Sequence, residues 1–367
     1  MSILYIGLDV HKETVAVAMA EEGRRGEVRS YGTIENTPAQ IEKLIKRLAK
    51  AGQDLHFCYE AGGCGYGLQR QIVAAGHLCT VVAPSRIPRK PGEHIKTDRR
   101  DAIKLARLNR AGELDAVWVP DAAHEAMRDL IRSRGDAMEH FKSCKQQLLS
   151  FLLRHGRSYG GNCTWTKSHY TWLAEQKFEH PAHQIVFQDY INAIHDAELR
   201  HEQLVRQIKE LLPHWSMKPL VEALCLMKGI SLVTAATILS VTGDLRRFAT
   251  PVQLSAYFGL VPSEHSSGNS IKRYRLSKSG NGEVRRVLIQ SAWCYRFPAR
   301  VTKAKEPQLS AADKSIRDVA WRAQLRLCKR YRRLIAVGKK TPLAVAAVAR
   351  ELTTFIWEMG QIVPIPS

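Results

Sequence analysis

Short apolar runs open this chain and long helical rhythms follow them. Ile3, Tyr5, Ile6, Leu8 and Val10 form an apolar run bounded by charges, which predicts a buried strand over residues 5–10. Val15 to Met19 follows after a tight polar turn, so the opening reads as a hairpin, and Val28 to Ile34 reads as a third strand. Thr37 suits an N-cap and Pro38 the first helical position, and Ile41, Leu44, Ile45 and Leu48 then recur at helical spacing up to Lys50. Leu55 to Tyr59 predicts a fourth strand ending at Glu60. A glycine-rich turn (residues 61–65), a helix through Leu68, Ile72 and Val73, and a fifth strand from Leu78 to Val82 come next. Pro84 to Lys96 is rich in proline and base and predicts a surface loop leading into a helix that opens at Thr97-Asp98-Arg99-Arg100-Asp101.

Beyond residue 120 the period changes. Asp121 to Leu153 is helical and long, and so is the stretch from about Gln184 to Leu212; between them His155 to Pro181 is polar and aromatic. Two long helices joined by a break predict an antiparallel hairpin, an intermolecular coiled coil or ordinary helical packing. Past Pro219, Met227-Lys228-Gly229-Ile230-Ser231 resembles a helix-hairpin-helix turn. Ser263 to Gly282 then reads as a Ser/Gly/Lys/Arg-rich loop. Helices over Val284–Trp293, Ala311–Leu334 and Pro342–Met359 end the pattern, the second of them dense in arginine and lysine. The order of the first half, three strands, helix, strand, helix, strand, is that of an RNase H-like α/β fold.

Composition sharpens this picture in one respect. With 55 Lys+Arg against 35 Asp+Glu the formal charge is +20, which favours a polyanionic partner over a neutral one. No apolar run is long enough to span a bilayer and no signal peptide precedes the first strand, so the expectation is a cytoplasmic protein without membrane contact. The eight cysteines form no Cys-x-x-Cys pair, which argues against a zinc ribbon and fits a reducing compartment.

The candidate chemistry begins with acids. Asp9 sits inside a buried strand, where an unpaired carboxylate suffers a large desolvation cost. Glu60 ends the fourth strand, and Asp98 and Asp101 share one face of a helix start, where the helix dipole also favours them. In an RNase H-like layout these four converge, and hard oxygen ligands of this kind suit Mg²⁺ or Mn²⁺.

The strings YIGLDVHKETVAVA, CYEAGG, KTDRRDA and GLVPSEHSSG, in that order between Tyr5 and about Trp293, resemble the 110 family of insertion-sequence transposases. The resemblance implies a RuvC-like DEDD domain over residues 1–115 with acids Asp9, Glu60, Asp98 and Asp101. It further implies a helical coiled-coil region over residues 116–215, carrying the aromatic insertion, and a helical Tnp domain over residues 216–367. The family's nucleophilic serine, matched before the glycine that follows Gly-Leu-x-Pro, is Ser267. Excision and insertion of an element through a phosphoserine intermediate, guided by a structured RNA, would follow, with double-stranded DNA as substrate and a dimer or dimer of dimers as the working form. Lys272, Arg273, Arg275 and Lys278 beside the serine, and Arg322, Arg326, Arg330 and Arg333 on the basic helix, are the expected nucleic-acid contacts. The chain departs from relatives at Lys228-Gly229-Ile230-Ser231, where Pro-Gly-Ile-Gly is common. Two other functions compete: a RuvC-like nuclease or junction resolvase using the acids alone, and a non-catalytic nucleic-acid-binding protein.

Overall fold

The computed structural model describes residues 2–49, 52–88, 97–264 and 273–366. It divides into two compact units, Met1–Val119 and Pro120–Ser367.

The first unit is α/β. Its elements are β1 (Ile3–Val10), β2 (Thr14–Glu21), β3 (Val28–Glu35), α1 (Pro38–Ala49), β4 (Asp54–Glu60), α2 (Gly67–Ala74), β5 (Leu78–Val82) and α3 (Asp98–Arg110). The five strands lie in the order β3-β2-β1-β4-β5. β1, β2 and β3 pair antiparallel, while β4 runs parallel to β1 and β5 parallel to β4.

The two faces of this sheet are built differently. Leu4, Ile6, Leu8, Val15, Val17, Leu55, Phe57 and Tyr59 form one face and pack with Ile41, Leu44, Ile45 and Leu48 of α1 and Leu68 and Ile72 of α2. On the other face, Ala16, Ala18 and Ala20 of β2 meet Ala102 and Ala106 of α3. Gly7 completes this second face: a Cβ there would overlap the Ala102 carbonyl oxygen and the Ala106 nitrogen. Small residues on both sides therefore let a helix backbone settle on a strand backbone. Burial on both faces also explains why β2 reads as a continuous apolar run rather than an alternating one.

Side chains fasten α3 along its length. The Cys58 thiol reaches the Leu105 carbonyl at 3.4 Å, and the Asn109 amide donates to the His56 carbonyl at 3.0 Å. Arg110 donates to the carbonyls of Glu21 and Gly26 at 3.1 and 2.8 Å.

The second unit is mostly helical. α4 (Ala122–Arg154) and α6 (Pro181–Leu211) lie side by side, with α5 (Lys167–Ala174) in the segment between them. Ring pairs Phe151–Tyr190 and Phe141–His201, at 5.6 and 6.5 Å, run in opposite directions along the two helices, so they form an antiparallel hairpin. The segment read as an aromatic interruption packs onto one end of it, with Trp165, Trp172 and Phe178 against Phe151, Leu152 and Phe187. α6 begins at Pro181, ahead of the expected start near Gln184, because proline at the first helical position needs no hydrogen-bond partner for its nitrogen.

Then come α7 (Lys218–Cys225), α8 (Leu232–Thr242), α9 (Pro251–Tyr257), β6 (Pro262–Glu264), β7 (Arg273–Leu276), α10 (Gly282–Trp293), α11 (Glu306–Ala311), α12 (Lys314–Ala336) and α13 (Thr341–Ile362). Ile131 of α4 and Ile208 of α6 belong to the same core as α7 to α13, so the base of the hairpin is continuous with the C-terminal helices. Where the sequence suggests only a loop from Ser263 to Gly282, β6 and β7 pair antiparallel. Among the described residues no helix is long and apolar enough to cross a membrane.

The tight seat of α3 gives a direct test. Gly7→Ala should destabilise the chain by ~1–3 kcal/mol, the usual cost of overpacking. Denaturant titration should show a lower midpoint with an unchanged slope, whereas Gly32→Ala, beside which nothing lies within 4 Å, should act through its positive φ alone.

Candidate active site

β1 carries Asp9 on the same face as Gly7, the face that α3 covers, since side chains two apart on a strand share a side. Because Ala102 rests on Gly7, the residues one turn earlier on α3 lie beyond it toward the end of β1. Asp98 is four residues before Ala102, and Thr97 fixes that start by accepting a hydrogen bond from the Arg100 amide. The turn after β1 is held as well: the His11 amide donates to the Thr14 carbonyl at 2.9 Å, and Asn36 donates to the His11 carbonyl at 2.7 Å.

These constraints bring three side chains together. His11 Nε2 lies 3.3 Å from Asp9 Oδ2 and 3.4 Å from Asp98 Oδ1. One ligand atom from each of Asp9, His11 and Asp98 can be chosen so that all lie within 4.8 Å of one another. Burial pushes the Asp9 carboxyl up from its ordinary value; the His11 ring pulls it back, and the charges of Asp101 and then Asp98 push it further up. Asp9 is only 17% exposed, so the repulsion acts where water screens it poorly.

Glu60 stands at the end of β4. Leu8 pairs with Tyr59 in the parallel register, so the next step along both strands sets Asp9 and Glu60 abreast. His56, Cys58 and Glu60 alternate onto the α3 side, and the Cys58 contact with Leu105 marks that side. The turn after β4 folds back through Tyr59 Oη to the Gly65 carbonyl, at 2.9 Å. The group whose ligand atoms meet therefore has oxygen donors from β1 and α3 and one imidazole nitrogen, and Glu60 and Asp101 are not part of it. This donor set fits a divalent cation, and the crowding of like charge supplies a reason for one. His11 was not among the residues predicted for the site. Its signal was position alone, two residues after Asp9 at the strand's end.

The second predicted centre is framed differently. Ser267 and Lys272 lie outside the described residues, in the stretch that joins β6 to β7. The base of that hairpin is well fixed. Gly259 has φ +66°, and a Cβ there would come within 2.9 Å of the Ser279 and Gly280 nitrogens. The Arg285 guanidinium donates to the carbonyls of Phe258 and Gly280 at 3.0 and 3.2 Å, and the Ser277 amide donates to the Val261 carbonyl at 2.9 Å. Arg273 belongs to β7, and Arg275 and Lys278 are exposed next to it.

The basic helix α12 is less free than its composition suggests. Arg322 pairs with Glu358, and Arg326 and Arg330 share Glu351, each at 2.7 Å, so three of the four arginines expected to meet nucleic acid are engaged with α13. The more exposed of these, Arg322 with Glu358, is of a kind worth ~0–1 kcal/mol, little enough for a phosphate to compete, whereas Glu351 is largely covered. Arg333 lies in the last turn of α12, exposed.

Two family models match the chain. One, described as a transposase and of the DEDD type from the IS110 elements, covers residues 6–156; the other, described as the transposase IS116/IS110/IS902 family, covers residues 221–306. A protein of Sinorhizobium fredii named as a transposase is 48% identical over 97% of this chain and 88% of its own length. The transposase of an insertion sequence element of Leptospira borgpetersenii is 33% identical over 92% and 98%. A pilin gene-inverting protein of Moraxella lacunata is 26% identical over 81% and 84%.

The raised Asp9 carboxyl sets an expectation for pH and metal together. A carboxyl whose pKa is higher folded than unfolded helps the fold most when protonated. Its contribution is full below the ordinary value of 3.8 and is lost as pH climbs through the folded value. In EDTA at neutral pH, Asp9→Asn should therefore melt above the wild type, and the gap should close toward pH ~4. Added Mg²⁺ or Mn²⁺ should raise the melting temperature of the wild type and leave Asp9→Asn unmoved, because only a ligand that binds the native state stabilises it.

Proposed function

The chain belongs to the IS116/IS110/IS902 family of transposases, and we propose that it cuts and rejoins DNA through a serine ester with the help of a metal-binding acidic site. The observation that carries this reading is the convergence of Asp9 and Asp98 on His11 at one end of the sheet, with the charge of Asp101 also acting on Asp9. In this reading the first unit is RuvC-like and Asp9, Glu60, Asp98 and Asp101 hold Mg²⁺ or Mn²⁺. The cation, when bound, neutralises the crowded carboxylates and acidifies a coordinated hydroxyl or water. His11 orients Asp9 and Asp98 through its ring nitrogen.

Ser267 supplies the covalent half of the reaction. Its Oγ forms a bond to a backbone phosphorus as one phosphodiester P–O bond breaks and the departing oxygen takes a proton. The reverse step, with a different DNA end, restores the phosphodiester and frees the serine. The bond energy is conserved, so no nucleotide triphosphate is needed. Arg275 and Lys278 offset the charge that grows on the phosphoryl oxygens. A structured RNA from the element pairs with the DNA and chooses the sites, and a dimer or dimer of dimers brings the ends together. The helical hairpin is a functional region of its own although its base shares a core with the Tnp domain, and the protein works in the cytoplasm at the nucleoid.

Incubation with element-end DNA followed by denaturing electrophoresis tests the proposal. Wild type should yield a covalent protein–DNA adduct whose peptide contains Ser267; Ser267→Ala should lose adduct and recombination, and Ser266→Ala should keep some of each. An adduct on Ser266 or Ser270 would move the nucleophile, and metal-dependent cleavage with no adduct would leave a nuclease using the acids alone. One discrete RNA should co-purify with the wild-type protein; a preparation that recombines without RNA would remove the guide from the scheme.

A further inference from the structure

Between the α7–α8 turn and the face of α12 lies a groove of ≈ 480 Å³, within the second unit. Its sides are unlike the acidic site in every respect. Lys228, Arg300, Lys305 and Arg317 contribute four cations, and among the described residues its lining contains no carboxylate. Its apolar wall includes Trp321 and Phe297, which remain 42% and 52% exposed.

Two lysines hold the groove open in a fixed shape. Lys228 Nζ donates to the Pro298 carbonyl at 2.6 Å and reaches the Phe297 carbonyl at 3.3 Å. Lys305 Nζ donates to the carbonyls of Cys225 and Met227 at 2.7 Å each, at the end of α7 where carbonyls lack helical partners. Burial lowers the Lys305 ammonium from its ordinary value. Gly229, with φ +81°, brings the turn so close to α10 that a Cβ there would fall 2.5 Å from the Ser291 carbonyl oxygen. Arg317 and Trp321 are four apart on α12 and so project from one side of the helix.

A planar apolar wall beside several cations matches one chemistry best: a flat ring attached to a phosphate. The volume fits a single small unit, since clefts of ~300–1,000 Å³ hold one such ligand. A duplex presents its bases stacked and cannot offer a ring to this wall. We infer that the groove binds an unpaired deoxynucleotide, its base against Trp321 and Phe297 and its flanking phosphates against Arg300 and Arg317. This rests on the family's work on DNA and not on serine chemistry. Strand exchange unpairs bases next to the breaks, and a base held out of the stack keeps the freed strand from re-annealing.

Full-length protein and fluorescence anisotropy test the idea with a short labelled oligodeoxythymidylate, an oligouridylate of equal length, and a duplex. Trp321→Ala should weaken the single-stranded DNA about tenfold, the scale of one lost base–aromatic stack. Duplex affinity should change less than twofold, and Trp321→Phe should recover most of the loss. Arg300→Gln and Arg317→Gln should each make the salt dependence shallower by about one ion. In the wild type, an oligonucleotide carrying 5-iododeoxyuridine should photo-crosslink within residues 297–321, a readout that needs no substitution.

Equal losses on single strand and duplex, or no crosslink in that segment, would overturn the assignment. A loss confined to the oligouridylate would give the groove to RNA instead. An altered mass by light scattering with unchanged oligonucleotide affinity would make it a contact between copies of the chain. Ser267→Ala should bind the oligonucleotide like the wild type, so a failed nucleophile and a failed groove are told apart.

Discussion

The arrangement of the first unit depends on one close approach, the contact of α3 with β1 across Gly7 and the alanines of β2. Methyl-sized side chains bury little apolar area, so this contact contributes less hydrophobic stabilisation per residue than the opposite face, where leucines, isoleucines and aromatics meet. What it provides is proximity. Hydrogen bonds from Cys58, Asn109 and Arg110 then fix the helix in register. With register set, the first turn of α3 reaches the end of β1, and Asp98 meets Asp9 and His11. The acidic site is thus a result of helix seating more than of attraction among its members, since its carboxylates repel one another and His11 is what draws Asp9 and Asp98 together.

That repulsion separates structural from functional reasoning. Asp9 is held where its ionised form is disfavoured, and a fold selected for stability alone would place a neutral residue there. Local conflict of this kind is concentrated at working sites. The pairs on α12 and α13 show the opposite logic: Glu351 and Glu358 compensate arginines that would otherwise repel one another along the helix.

Much of this was legible from the chain. The five strands, α1, α4, α10, α12 and α13 follow from period and from capping residues, because burying one face of an element leaves a rhythm in its sequence. Asp9 within the first apolar run, Glu60 at the end of the fourth, and Asp98 and Asp101 at a helix start could be singled out as acids. His11 could not, since a histidine in a polar turn looks the same whether or not it bridges two carboxylates. β6 and β7 escaped because strands of three and four residues are too short to show alternation. The partners of Arg322, Arg326 and Arg330 lie 21 to 36 residues away on a second helix, a distance at which a one-helix pattern carries no information.

The base of the β6–β7 hairpin has a consequence for what can be inserted there. Gly259, Gly280 and Arg285 tie together the two strands' outer ends, and Glu264 pairs with Arg273 at the inner ends. A segment grafted between those last two residues starts and finishes at the same points whatever its length. Doubling a flexible loop adds only ~0.6 kcal/mol of closure cost. The helical core therefore serves as a socket whose rim is set by Gly259, Gly280 and Arg285, on the helical side of the two strands, and not by the residues between Glu264 and Arg273.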